Sequence, residues 1–448
     1  MTQTFSSPAK ENLNLGVLAR EAGIALVIQF GGILLTYLAQ IFLARWMGRT
    51  EYGIYEYVVS WSILLAIPAG LGLPHTVLRF VSEYQVKEEW GLLRGIVVAS
   101  WLITILASLL VSLITISIIL LLNYYYNFVY TNSLLIGIGL ILLQALVNLQ
   151  LETARAIKDV TLAYSPSQII SPILLICGTF LVLETHHSLT GIVAIALSEI
   201  TLLVVILLQF GFLLLKLNKE FVPCKPVYMI REWLGVAMSI LLQHGCIIML
   251  GKTDIVMVGS ILGPEQAGMY AVAVKTAEWV SFILAIINVV AAPNFTALYV
   301  KGNLEGLQKL VSTVAVWIFW PSIIISLLLF IFGQSVLGIF GSEFIAASWQ
   351  LKILVLGNLI NALSGSVGYL MMMTGHQNKS LKVFGYSAVL NIVLNAIFIP
   401  LFGSLGAAIA TAFTVVVWNI WLFFLVVKYV GVNPSIFRGI FSLPKKAN

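Results

Sequence analysis

Lys252, Asp254, Lys275 and Glu278 are the only charged residues in two long apolar runs, 234–262 and 267–291. An ionisable group at the centre of a bilayer costs at least about 2.5–3.5 kcal/mol on insertion scales, so each needs a partner or a task. The turn between the runs centres on Pro264–Glu265. Counting outward brings 254 level with 275 and 252 level with 278, about 15 Å into the membrane. Lys275 and Glu278, three apart, share a helix face. Lys252 and Asp254, two apart, point about 200° from one another. This geometry predicts an Asp254–Lys275 pair, with Lys252 turned toward a central cavity where its ammonium can hold an anion. The plainer chemistry is that all four fasten two helices together, since buried pairs also serve packing and register.

Other polar residues in apolar surroundings widen the candidate set. Glu199 sits mid-run in 189–215, and a lone buried carboxylate either carries a proton or is hydrogen-bonded to a neighbouring Ser or Thr. Glu56 is placed to meet Arg45 near the external end. Arg79, at a cytoplasmic helix end, either receives an anionic headgroup or anchors the chain. Gln144 with Asn148, Asn358 with Asn361 and Ser364, and Asn391 with Asn395 repeat at helical spacing. Such stripes either line a polar cavity for sugar hydroxyls, with Asn148, Asn361 and Asn395 the candidates, or make interhelical hydrogen bonds. Cys177, Cys224 and Cys246 are far apart, and neither a disulfide framework nor a metal-type spacing follows. No phosphate-cradling glycine loop with Lys-Ser/Thr and no Ser/His/Asp grouping is present. The expectation is a protein without a cofactor or metal, and not an enzyme.

The elements that position these residues follow from composition. Of 448 residues, 60% are apolar and 9% are charged, against roughly 45–50% and about 25% in soluble domains. That excludes an ordinary soluble enzyme, a nucleic-acid binder and a disordered chain, and leaves a polytopic membrane protein. The continuous runs exclude an alternating β-barrel pattern. Twelve runs are long enough to span: about 22–44, 53–73, 95–122, 133–151, 165–183, 189–215, 234–262, 267–291, 309–332, 350–373, 381–401 and 405–427. With the N-terminus in the cytoplasm, nineteen of the 24 basic residues fall on cytoplasmic segments, among them Lys10, Arg20, Arg438, Lys445 and Lys446. Arg45, Arg49 and Lys352 fall outside, and Lys252 and Lys275 within helices. This asymmetry supports twelve helices with both termini inside. The polar N-terminal segment carries no cleavage signal, so the first span is expected to stay in the mature protein. Tyr124–Tyr126, Phe128 and Tyr130 read as an external aromatic belt.

An internal repeat divides the chain. Gly48-x4-Gly53-x-Tyr55 recurs as Gly263-x4-Gly268-x-Tyr270, an offset of 215 at all three positions. Gly91 and Gly306, and Gly191 and Gly406, keep the same offset. The expected fold is an all-α integral membrane protein of about twelve transmembrane helices in two six-helix lobes, 1–215 and 234–448, joined by a basic cytoplasmic linker at 216–233. Six helices per lobe give parallel repeats, the usual frame for alternating access around a site near mid-membrane.

The residues around the repeat resemble a known family. Ala44-Arg-Trp-Met-Gly-Arg-Thr-Glu-Tyr-Gly-Ile-Tyr55 is similar to the first-hairpin signature of polysaccharide flippases. Gly72-Leu-Pro74 with Arg79-Phe80 resembles the end of their second helix, and Asp254 through Tyr270 their seventh-to-eighth helix signature. Leu356-Gly357, Thr374-Gly375, Asn391-Ile-Val-Leu-Asn395, Ile399-Pro400 and Gly406-Ala-Ala408 resemble their C-terminal pattern. Together these cover nearly the whole chain. The resemblance implies a Wzx-like oligosaccharide flippase of the multidrug/oligosaccharidyl-lipid/polysaccharide (MOP) superfamily, related to MATE transporters and lipid II flippases. Such proteins move polyprenyl-pyrophosphate-linked glycans from the inner to the outer leaflet, with a proton or sodium gradient commonly coupled. By that resemblance Lys252, Lys275, Arg45 and Arg79 would face the pyrophosphate. Asp254, Glu278, Glu199 and Glu56 would serve ion coupling or structural pairing. The implied partners are a lipid-linked oligosaccharide, membrane lipid, and a polysaccharide polymerase with its assembly proteins. The implied place is a bacterial inner membrane. A MATE-type drug or cation antiporter and a peptidoglycan lipid II flippase are the competing readings. A third is a non-transporting partner in a glycan assembly complex.

Overall fold

A computed structural model describes residues 15–186, 188–220 and 224–434. Lys10, Arg438, Lys445 and Lys446, the chain termini, the Arg20 side chain and positions 221–223 of the expected linker lie outside what it describes. The described residues form helices and short connections. The first half of the chain contains α1 (Leu15–Gly70), α2 (Leu73–Val86), α3 (Trp90–Tyr126), α4 (Thr131–Ile136), α5 (Gly139–Ala156), α6 (Val160–Ser165), α7 (Ser171–His186) and α8 (Gly191–Glu220). The second contains α9 (Ile230–Leu262), α10 (Pro264–Val300), α11 (Leu304–Phe340), α12 (Ser348–Leu363), α13 (Val367–Met373), α14 (Gln377–Phe402) and α15 (Ser404–Leu425).

Ten described helices are long and apolar enough to cross a bilayer. The difference from the twelve expected runs has two local causes. Runs 22–44 and 53–73 lie within α1, whose 45-residue apolar stretch would be about 68 Å long if straight, twice the hydrocarbon thickness. It is not straight. Gly48 interrupts it at φ 74°, ψ 171°, a region open essentially to glycine alone. Beyond the break the chain folds back, so that the Tyr52 hydroxyl donates to Gln40 Oε1 at 2.8 Å, twelve residues earlier. Run 133–151 is divided between α4 and α5 at Gly137–Ile138, and the 18-residue α5 carries Glu152 and Arg155 at its far end.

The repeat is visible in the backbone. Gly263, between α9 and α10, adopts φ 89°, ψ 177°, nearly the conformation of Gly48. The two breaks meet. A Cβ on Gly53 would lie 1.8 Å from the Pro264 carbonyl oxygen, and a Cβ on Gly268 would lie 2.1 Å from that of Arg49. Each of these contacts becomes the other when 215 is added to one residue number and subtracted from the other.

Packing differs between the two ends of the bundle. At the Gly48/Gly263 end, a single buried cluster joins Leu43, Tyr52 and Tyr55 from the first half to Tyr270, Phe340 and Phe344 from the second. At the opposite end the cores separate. One gathers Val77, Phe80, Tyr84 and Leu149, and the other Phe295, Leu307, Met371 and Val430. Trp233 of α9 belongs to the former, its indole donating to the Tyr84 hydroxyl at 2.9 Å. The outward faces are apolar, as Leu106, Leu110, Leu113 and Leu121 of α3 illustrate. These side chains suit lipid and not water.

Candidate functional site

The seam between the halves contains a buried ion pair. Lys275 Nζ lies 2.7 Å from Glu56 Oε1, with side-chain exposures of 17% and 2%. This corrects two sequence expectations at once. Lys275 does not pair with Asp254, and Glu56 does not meet Arg45. The helix turn of α10 that carries Lys275 faces the folded-back half of α1, because the glycine contact at 53 and 268 brings those two elements together.

Asp254 is buried in a hydrogen-bonded setting of its own. Its Oδ2 accepts from Tyr270 at 2.9 Å and from Thr411 at 3.2 Å, and its Oδ1 from the backbone N–H of Ile255 at 2.8 Å. The chain of polar groups continues. Asn391 Nδ2 lies 3.5 Å from Thr411 Oγ1, and Asn395 Nδ2 donates to Asn391 Oδ1 at 3.0 Å. Asn395 is fully buried, and its Oδ1 has no partner. It is therefore bonded within α14 and buried away from a cavity open to sugar, which corrects its place among the sugar-facing candidates. No spacing in the sequence marks Tyr270 and Thr411 as partners of Asp254, although Tyr270 closes the repeated glycine motif.

A cavity of about 180 Å³ adjoins this chain, lined by Asp254, Glu278, Asn358, Asn361 and Thr411. Glu278 is exposed to it. Asn361 accepts from Asn419 at 3.0 Å, and Ser281 donates to Asn358 at 2.7 Å. Lys252 is half-buried and makes no hydrogen bond or salt bridge among the described residues. Its charge is nonetheless close enough to act on both Asp254 and Lys275.

A second cavity, about 140 Å³, lies between α1, α2, α5 and α9 toward the separated end. Gln144, Asn148, His75, His244 and Glu152 line it. His75 Nδ1 is 3.3 Å from Glu152, whose carboxylate also takes two bonds from Arg155 at 2.9 Å. The His75 and His244 rings meet edge to face at 4.7 Å. Asn148 is exposed within this space. A third cavity of about 240 Å³ in the first half is lined by neutral polar groups, Gln40, Tyr55, Ser171, Ser198 and Thr201 among them.

The remaining candidates sit apart. Glu199 Oε1 accepts the Leu140 backbone N–H at 3.1 Å. The same N–H also donates to the Gly137 carbonyl at 3.2 Å, so the carboxylate shares a donor in the first turn of α5, where the helix dipole favours a negative charge. Gly139 makes room, since a Cβ there would lie 2.7 Å from that carboxylate. The partner is backbone, not the Ser or Thr foreseen. Arg45 and Arg79 are exposed, Arg79 lying 5.3 Å over the Phe80 ring. Arg49, not Arg45, closes the Gly48/Gly263 end, bonding Glu265 at 3.2 Å and Glu343 at 3.9 Å across the two halves. Among the described residues no cluster of His, Cys, Asp and Glu could hold a metal ion.

Comparison with known proteins places this geometry. A family model described as polysaccharide biosynthesis protein matches residues 18–299. An uncharacterized membrane protein of Methanocaldococcus jannaschii is 23% identical over 91% of the chain and 85% of its own length. A probable low-salt glycan biosynthesis flippase of Haloferax volcanii is 28% identical over 165 residues, 36% of this chain and 34% of that protein. Among solved structures, an inward-facing multidrug resistance MATE transporter of the MOP superfamily superposes with a TM-score of 0.71 at 15% identity, covering 91% of this chain and 98% of that one. The lipid II flippase MurJ in an inward closed state gives 0.63 at 16% identity, covering 90% and 87%. The fold is that of these transporters.

Proposed function

The chain belongs to the polysaccharide biosynthesis protein family, and from that premise we propose that it flips a polyprenyl-pyrophosphate-linked oligosaccharide across the plasma membrane. Movement runs from the cytoplasmic to the outer leaflet, for surface polysaccharide assembly. The two halves act as six-helix lobes, 1–215 and 234–448, with both termini and the 216–233 linker in the cytoplasm. The end closed by Arg49 and the paired glycines then faces outward, and the separated end faces the cytoplasm. Alternating access would exchange these states.

The observation that carries the reading is the pair of lysines on one hairpin. Lys252 and Lys275 stand eleven and twelve residues from Gly263, so both lie about 17 Å down their helices. Lys252 has no bonded partner among the described residues, and Lys275 faces the seam. Together they suit the two phosphates, while the lipid tail stays in the bilayer and the sugars occupy the cavity lined by Asn148, Gln144 and the histidines. Arg79, at the cytoplasmic rim, suits the first capture of the headgroup.

Asp254, with the Thr411–Asn391–Asn395 chain behind it, is the place for a coupled proton or sodium ion. Cationic Lys252 and Lys275 weigh against the drug-antiporter alternative, whose cavity would need acidic residues to attract cationic drugs.

The test uses a strain lacking the gene and any redundant flippase, complemented by wild type or Lys252→Ala. Inner-leaflet accumulation of the lipid-linked oligosaccharide with loss of surface glycan, rescued only by wild type, is the expected result. Rescue by both proteins would keep the flippase and remove Lys252 from it. A normal leaflet distribution in the deletion strain would overturn the proposal.

A further inference from the structure

An ammonium group at a partly open seam inside a membrane protein attracts any anionic headgroup that reaches it, and singly charged phosphodiester lipids are abundant in membranes. Lys275 is not left bare to them. Its Nζ is held by Glu56 at 2.7 Å, and the carboxylate is supplied by the opposite wall of the seam, from α1 to α10. We propose that Glu56 is a specificity-determining residue. It stands at Lys275 as a resident anion and yields only to a headgroup carrying more charge than one phosphodiester. This inference rests on the reading that Lys252 and Lys275 receive the phosphates.

The charge exchange sets the selectivity. A phosphodiester offers Lys275 one negative charge in place of the one it displaces. It also leaves Glu56, only 2% exposed, as an unpaired buried carboxylate, a costly state. The exchange gains nothing. A pyrophosphate ester brings at least two charges and two phosphate groups. One replaces Glu56 at Lys275, and the second reaches Lys252, which has no bonded partner to give up among the described residues. Neighbouring charges do not undo this asymmetry. Asp254 is engaged by Tyr270 and Thr411. Glu278 is exposed to the cavity it shares with Asp254 and Asn361. On its own helix Glu56 is flanked by the neutral Tyr52 and Tyr55, both buried. Glu56 also differs from Glu199, whose bond to the Leu140 backbone N–H gives it a structural partner that no ligand replaces.

The experiment titrates full-length protein in detergent with farnesyl pyrophosphate, using dihexanoyl phosphatidylglycerol as the phosphodiester competitor. Wild type should prefer the pyrophosphate at least tenfold, and Glu56→Gln should lower that ratio by about tenfold through tighter phosphatidylglycerol binding, a 1.4 kcal/mol difference. Glu56→Asp, which keeps the charge but draws it back from Lys275, should fall between the two and guards against a poorly folded amide variant. The neutral pair Glu56→Gln with Lys275→Gln should bind the pyrophosphate weakly while remaining folded. A residue that only pins the halves together would shift the melting temperature and leave the ratio unchanged, and that result overturns the proposal. So does a Glu56→Gln protein that loses the pyrophosphate without gaining phosphatidylglycerol. Absence of pyrophosphate binding in wild type overturns the anion-site reading itself, and is distinguished by its appearing before any substitution is made.

Discussion

Single residues in this bundle divide by whether their polar atoms are already satisfied. Lys252 is not bonded among the described residues, so its loss should leave the fold alone. Lys252→Gln is expected to lower affinity for farnesyl pyrophosphate about tenfold, while unfolding free energy changes by no more than about 0.5 kcal/mol. Parallel titration and thermal melting would show it. Asn395 is the opposite case, fully buried and bonded to Asn391. Asn395→Ala leaves Asn391 Oδ1 without its donor and should cost about 1–3 kcal/mol, read by melting in detergent. At the rim of α6, burial raises the Asp159 carboxyl, but the Lys216 ammonium at 2.6 Å and the Leu162 backbone N–H at 2.9 Å outweigh it. The pKa is thus held below the ordinary 3.8. A depressed acid stabilises the folded state above its unfolded value, and that contribution drains away as pH falls through the folded value. Melting temperature should therefore drop more steeply below about pH 4 in wild type than in Asp159→Asn. An equal slope in both would exclude the pair from acid stability.

At the scale of elements, the glycine breaks decide how helices lie together. Gly53 sits where a side chain cannot fit, since any Cβ would overlap the Pro264 carbonyl. Gly53→Ala and Gly268→Ala should each destabilise by about 1–3 kcal/mol or more through overpacking. Gly235→Ala, with open space around its Cβ position, should be near neutral and serves as the comparison in a melting series. The breaks themselves were legible, because a spaced pair of glycines followed by tyrosine, repeated at a fixed offset, marks one turn used twice. The division of α4 from α5 was not. Nothing in the apolar run 133–151 announces that Glu199 will reach across from α8 to Leu140 and start a new helix there. Asp254–Lys275 failed for a related reason. Depth could be counted from the turn, but rotation about the helix axis depends on the neighbours, and α1 claims Lys275 while Tyr270 and Thr411 claim Asp254.

Over the whole molecule, one end is held by shared core and the other by two separate cores. Arg49 is the polar part of the closed end, and it is well exposed at 39%. Its ion pairs should contribute less than about 1 kcal/mol to folding. Their larger effect falls on the balance between states, since they form only when the two halves meet. Arg49→Ala should speed hydrogen exchange in 48–55 and 263–270 with almost no change in melting temperature. Unchanged exchange would remove Arg49 from the closure. Composition and the repeat made the helical membrane class and the paired glycine breaks legible from the sequence alone. The identity of the seam was not, because seam partners such as Glu56 and Lys275 stand 219 residues apart, and no local spacing relates them.

The exchange of glycine for carbonyl at 53, 264, 268 and 49 has one more consequence. A surface on which residue i meets residue j, while j's counterpart meets i's counterpart, is the contact of a two-fold homodimer. Here both partners lie on one polypeptide. The Gly-x4-Gly hairpin is thus self-complementary, and a half-length chain bearing it would present a ready face to its own twin. The protein thus carries within one chain the kind of contact that a two-fold dimer makes between two.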